Sequence, residues 1–294
     1  MWNNRTELWN HDTGDHQFYD LDMSSDGGYI VASTSYISGG ASIYLFDKNL
    51  TNDEQLWDAT VSSQQISDVS ISANGETIAV SGYDSAERLY VFDVSSSTPL
   101  WQTSNDYDSY GYSTNDVSQD GKYIVVASER NVITAFSVSS STALWTKSLY
   151  ECCDSQFEEP LKISWDNKYV VVATAALTYD KILTIDLTSG AVVSYYTSVY
   201  TGNFDSISIA SDSKSFAASH SSGRIFVFNM TVSTPFQTIT NPDGSSSNIF
   251  LSGNGKYLAF VTQNNGGKLY FYDVENNDQL WFNDNNYHRY DRAG

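Results

Sequence analysis

Between Ile66 and Ile71 apolar and polar residues alternate with a period of two. Thr77–Ser81 follows as an apolar strand, Arg88–Asp93 as a third strand and, after a Ser-rich turn, Pro99–Gln102 as a fourth. Side chains that switch face at every residue belong to half-buried strands. The pairs between them, Asn74-Gly75 here, are hairpin signals because they tolerate the positive φ of a two-residue type I′ turn. The hairpin signal recurs at Asp26-Gly27, Asp120-Gly121, Asp166-Asn167, Asp212-Ser213 and Asn254-Gly255. The end of the third strand recurs at Phe46-Asp47, Phe92-Asp93, Phe136-Ser137, Ile185-Asp186, Phe228-Asn229 and Tyr272-Asp273. No segment holds a 3.6-residue apolar stripe over ten residues, so helices are not expected.

The fourth strand carries the marker that sets the period. A tryptophan follows leucine at Trp9, Trp57, Trp101, Trp145 and Trp281, and degraded versions of the slot are expected at Tyr195 and Phe236. Steps of 41 to 50 residues between these seven anchors match four-stranded propeller blades and exceed the helical-repeat periods near 34. The pattern predicts an all-β chain, a single β-propeller domain over 1–294 built of four-stranded antiparallel blades. Six complete repeats are expected at about 10–58, 59–102, 103–146, 147–197, 198–238 and 239–282. The segment around Glu7-Leu8-Trp9 reads as an N-terminal closing strand. The terminal strands 2–9 and 283–294 are assigned to ring closure or to pairing with a neighbouring copy, and both six and seven blades remain open.

The order Ile-Ser-x-Asn/Asp-Gly-x-Tyr-Ile-Val-Val-Ala-Ser, then Leu-Tyr-Val-Phe-Asp, then Leu-Trp, resembles WD-repeat and quinoprotein (PQQ)-like β-propellers. Phe-Asp stands where WD repeats carry Trp-Asp, and the closing Leu-Trp is similar to the quinoprotein repeat, whose tryptophans dock neighbouring blades. The resemblance covers residues 2 to about 284 and specifies fold more than chemistry.

Composition narrows the partners. Thirty-five acidic against fifteen basic residues give a formal charge of -20, which disfavours nucleic acid and anionic membrane surfaces. No run of 18 apolar residues suggests membrane insertion, and no charged-then-apolar leader opens the chain. Acidic residues gather in the turns from outer to inner strands, at Asp12, Asp15, Asp106, Asp108, Asp154, Glu158, Glu159, Asp243 and Asp284. A solvated loop set is the plain expectation there, and a cation or a basic partner at that rim is the sharper one.

Chemistry-bearing motifs are few. Asn4, Asn49 and Asn229 head Asn-x-Thr sequons, each in the turn before a fourth strand, and point to a glycosylated, secreted, extracellular protein. Cys152 and Cys153 are adjacent and sit between an outer and an inner strand, as two thiols or as a vicinal disulfide. Quinoprotein alcohol dehydrogenases place such a disulfide against pyrroloquinoline quinone, so the resemblance implies a cofactor near these cysteines. No calcium-ligand and catalytic-base set accompanies them. His11, His16, His220 and His288 are scattered without zinc spacing, and no Gly-x-Ser-x-Gly elbow or phosphate loop is present. The expected protein is therefore a structural or protein-interaction module with no catalytic set and no cofactor. Its expected partners are another protein or further copies of itself. A quinoprotein-type oxidoreductase or its inactive descendant is the alternative; an intracellular WD-type adaptor is a weaker one.

Overall fold

The computed structural model describes residues 10–14, 17–34, 40–49, 55–62, 65–83, 88–104, 112–128, 132–149, 160–174, 180–244, 246–262 and 267–284. Among these every regular element is a strand, and the 24 strands form six four-stranded antiparallel sheets. The first sheet holds β1 to β4 (Phe18–Met23, Tyr29–Thr34, Ala41–Asp47, Trp57–Ser62), and the second β5 to β8 (Gln65–Ile71, Thr77–Tyr83, Arg88–Asp93, Trp101–Ser104). The third holds β9 to β12 (Tyr112–Val117, Tyr123–Ser128, Val132–Ser137, Ala143–Ser148), and the fourth β13 to β16 (Leu161–Ile163, Tyr169–Thr174, Lys181–Asp186, Val192–Thr197). The fifth holds β17 to β20 (Phe204–Ile209, Ser215–His220, Arg224–Asn229, Gln237–Thr240), and the sixth β21 to β24 (Ser246–Leu251, Tyr257–Thr262, Lys268–Asp273, Asp278–Asp284). Strands follow one another in every sheet, so each blade is a meander whose first strand opens it and whose fourth closes it. The chain falls into two compact units, 1–124 with 136–142, and 125–135 with 143–294.

The core of each unit lies between the faces of neighbouring sheets. In the first unit Val31, Ile43 and Leu45 of the first sheet pack with Ile66, Val69, Ile78 and Val80 of the second. In the second unit Ala217, Ile225 and Val227 of the fifth sheet pack with Ile249, Leu258 and Phe260 of the sixth. Middle strands buried on both faces explain why Tyr123–Ser128 and Tyr169–Thr174 read as near-continuous apolar runs.

The hairpin joining the first two strands of each blade differs from the expected type I′ turn. In the first blade the Gly27 N–H donates to the Ser24 carbonyl and the Ser24 N–H to the Tyr29 carbonyl, a four-residue loop rather than a two-residue one. Only the second residue of each signal pair has positive φ: Gly27, Gly75, Gly121, Asn167, Ser213 and Gly255. In five of the six blades a serine two residues before the Asp or Asn closes the loop, while the fifth has Ala210 there and keeps the backbone bonds. Ser24 Oγ donates to Asp26 Oδ1 (2.8 Å) and accepts the Tyr29 N–H (3.0 Å), which closes the wider loop with side-chain bonds. Ser118 with Asp120 and Tyr123, Ser164 with Asp166 and Tyr169, and Ser252 with Asn254 and Tyr257 repeat the arrangement.

Neighbouring first strands are linked by side chains, which is where part of the acidic surplus goes. Asp20 Oδ2 accepts the Val69 N–H (2.9 Å) and Asp22 Oδ2 the Ile71 N–H (2.8 Å). One blade on, Asp68 Oδ2 accepts the Asn115 N–H (2.7 Å); in the second unit Ser208 Oγ accepts the Leu251 N–H (2.9 Å). A first strand has a ladder partner on one side only, so its outward N–H groups need acceptors, and the preceding blade supplies them.

Candidate functional site

The tryptophans form docking slots. Trp57 stacks on Phe92 of the next blade (5.7 Å between ring centres) and its indole N–H donates to the Val94 carbonyl (2.8 Å). Trp101 packs on Phe136 (5.6 Å) and donates to Val138; Trp145 donates to Leu187 (2.8 Å). One ring thus supplies apolar contact and satisfies a carbonyl.

Two of the degraded anchors are displaced by one residue. Tyr195 is 62% exposed and Phe236 50% exposed. Tyr196 packs instead on Phe226 (5.4 Å) and Phe228 (5.2 Å) of the next blade, and Gln237 Nε2 donates to the Val274 carbonyl (3.1 Å) in the manner of a tryptophan. Register explains both. The Phe236 N–H bonds Val227 as the Leu100 N–H bonds Val91, so Phe236 takes the leucine's place, and Gln237 opposes Val227 as Trp101 opposes Val91. In the fourth blade an irregularity between Thr184 and Ile185 pairs Ser194 with Thr184, which turns Tyr195 outward and Tyr196 inward. Trp281 opposes Phe271 and stacks on it within its own sheet (5.5 Å), leaving it 47% exposed. Trp9 lies outside the described residues.

Of the other expected site residues, Asn49, in the turn after the third strand of its sheet, and Asn229, the last residue of β19, are exposed. The Asn49 N–H is held by Asp47 Oδ1 (2.7 Å). Asn4, Cys152 and Cys153, and the acidic positions 15, 106, 108, 154, 158 and 159, lie outside the described residues. Asp243, expected at an acidic rim, is instead nearly enclosed: it receives Lys268 Nζ at 3.1 Å and the Tyr270 hydroxyl. Asp12 Oδ1 caps its own turn by accepting the Gly14 N–H (2.8 Å).

The densest polar group was not legible as a site. His220, at the end of β18, stands where the other blades carry Thr34, Gly82, Ser128, Thr174 and Thr262; that break in the repeat was the available signal. The Ser222 N–H donates to His220 Nδ1 (3.0 Å), so the ring proton belongs on Nε2. Nε2 faces Ser198 Oγ at 3.4 Å and Asp180 Oδ2 at 3.8 Å, with Phe204 edge-on at 4.9 Å. His220 and Asp180 have no solvent exposure, and the Arg224 guanidinium lies 3.8 Å above the Tyr200 ring beside them. A Ser–His–Asp grouping so enclosed offers no face to a substrate, and it ties three loops together.

The comparisons with known proteins agree with the strand pattern. A family model described as "Outer membrane protein assembly factor BamB" matches residues 3–147 and again 39–283. The chain belongs to this family of PQQ-like repeats. Its six sheets are blades of a β-propeller. Hydrazine synthase of Kuenenia stuttgartiensis is similar in structure, with a TM-score of 0.66 and 18% identity over 90% of this chain and 79% of that one. That likeness shows the fold alone. No curated protein matches.

Among the described residues no group of three or more His, Cys, Asp or Glu side chains is placed to ligate a metal ion.

In this BamB-like chain two ionisations around His220 oppose each other. Burial, then the positive charge of Arg224, lowers His220 from 6.5 to about 4. The folded ring is neutral where an unfolded one takes a proton, so its contribution is intact above 6.5 and lost as the pH falls towards 4. Asp205 is exposed as a residue, and desolvation of its carboxyl, then the negative charge of Asp180, raises it from 3.8 to about 6. A raised carboxyl destabilises the fold above about 6, and that penalty vanishes as the pH falls below 3.8. Asp205→Asn is expected to increase stability at pH 7, to lose the gain by about pH 3.5 and to steepen the acid loss between, in urea unfolding across that range. Equal effects of the substitution at both ends would contradict it.

Proposed function

We propose that this chain is a secreted, N-glycosylated β-propeller that acts as a structural and protein-interaction module and self-associates through its terminal strands. One observation carries the non-catalytic part. The single Ser–His–Asp grouping among the described residues is sealed, with Asp180 and His220 at 0% exposure, while Asp20, Asp22 and Asp68 are engaged in linking blades. The exposed sequon residues Asn49 and Asn229 support passage through a secretory pathway. The apolar run Leu280-Trp281-Phe282 exposed on the outermost strand of the sixth blade supports association. A basic partner or a cation at the acidic loops is compatible with the charge of -20.

Glycosylation is tested by intact mass. Asn49→Gln and Asn229→Gln are each expected to remove one glycosidase-sensitive step from the mass ladder of the secreted protein; masses unchanged by both substitutions and by glycosidase would contradict the secreted reading.

Family membership favours a second reading, a quinoprotein-type oxidoreductase with its cofactor near Cys152 and Cys153. The two separate by absorbance after reconstitution with pyrroloquinoline quinone and calcium. The module predicts a featureless visible spectrum, and a stoichiometric quinone band would overturn it.

A further inference from the structure

We propose that the groove between the second and third blades, over Trp101 and Tyr123, is a binding site for a neutral saccharide. The groove has a volume of about 540 Å³ and is lined by Leu100, Trp101, Tyr123, Val138 and the hydroxyl-bearing Ser137 and Ser139, with Gly121 and Lys122 at its edge. That volume lies within the range of small-ligand clefts. Two aromatic rings and two aliphatic side chains suit the C–H faces of a sugar ring, and Ser137 and Ser139 suit its hydroxyls. Trp101 already donates its N–H to Val138, so it offers ring surface rather than a hydrogen bond.

The quasi-equivalent joints lack this combination. Where the groove has Ser137, the second, fourth and sixth blades carry Asp93, Asp186 and Asp273. Each of those carboxyls is held below its usual range by hydrogen bonds within its own turn. A sugar entering there would strip water from a charge, whereas a neutral ligand over Ser137 does not. At the joint of the first two blades Thr77 replaces Tyr123, so the second ring is missing. At the joint of the third and fourth blades Gly190 lies against Trp145, so close that a Cβ there would be 2.8 Å from the indole, and the turn fills the space. Lys122 adds little charge, because its ammonium is paired with Asp120 at 3.0 Å. An extended peptide is the poorer occupant. It would need a run of strand backbone to lie along, and the wall facing Leu100 and Trp101 offers only the start of β10 at Tyr123, the end of β11 at Ser137 and the turn residues beside them.

The site does not depend on glycosylation or self-association, so its test is separate from theirs. The full chain is titrated with cellohexaose, maltohexaose and an uncharged Leu- and Tyr-containing peptide, followed by calorimetry and by the Trp101 indole N–H resonance. Saturable binding of at least one oligosaccharide is expected, with a shift of that resonance. Leu100→Asp and Ser139→Glu, both at exposed positions, should each weaken binding by roughly tenfold or more, while Leu144→Asp at the next joint leaves it unchanged. No binding by folded protein at about 10 mM sugar, binding indifferent to both groove variants, or preferential binding of the peptide would each overturn the proposal.

Discussion

Trp57→Ala is expected to destabilise the first unit by about 3–4 kcal/mol, the largest effect of any single outer-strand substitution. Two losses combine. The ring stacked on Phe92 at 5.7 Å is removed from the seam of the first two blades, where Ile66, Val69, Ile78 and Phe92 bury their side chains. The Val94 carbonyl also loses its donor at 2.8 Å, worth about 1 kcal/mol by itself. Trp57→Phe separates the two: it keeps an aromatic on Phe92, lacks the N–H, and should cost about 1–2 kcal/mol. Urea unfolding followed by tryptophan-independent circular dichroism reads both variants. A loss below about 1 kcal/mol for the alanine would mean that the slot does not hold the blades together.

The second large effect is expected at Gly190. Its φ of +69° lies in the left-handed region, and a Cβ there would sit 2.8 Å from two atoms of the Trp145 ring and 3.2 Å from its Cβ. Gly190→Ala should therefore combine about 1 kcal/mol of backbone strain with an overpacking cost of about 1–3 kcal/mol. Gly14 is the internal control, because its φ is +72° and nothing among the described residues lies within 4 Å of the added carbon. Gly14→Ala isolates the backbone part, about 1 kcal/mol. Equal losses at the two positions would show that the turn shifts away from Trp145 at little cost.

Strand order and blade content were legible because alternation and period are local. Ile66–Ile71 carries the two-residue rhythm of a strand, and β5 stands there, while the apolar run Leu89–Phe92 in Arg88–Asp93 is β7, buried on both faces. Register at the degraded anchors was not legible. Aligning Tyr195 and Phe236 with tryptophan matched residue type, whereas the slot is chosen by which face of the strand looks inward. A shift of one residue exchanges the faces, so Tyr196 and Gln237 do the docking. Gln237 shows why type misleads: an amide reproduces the indole's hydrogen bond without its ring. The turn type was misread because Ser24 and its equivalents act through side-chain bonds two and five residues away, which the Asp-Gly pair alone does not reveal. His220 escaped for a related reason. Its partners Asp180, Ser198 and Ser222 come from separate loops, and only the fold places them around one ring.

Native mass spectrometry of the protein secreted by its own cells tests the proposed module most directly. It predicts assemblies at multiples of a subunit heavier than the 32.7 kDa polypeptide, with the excess removed by glycosidase. A single species at the bare polypeptide mass, indifferent to glycosidase, would contradict it.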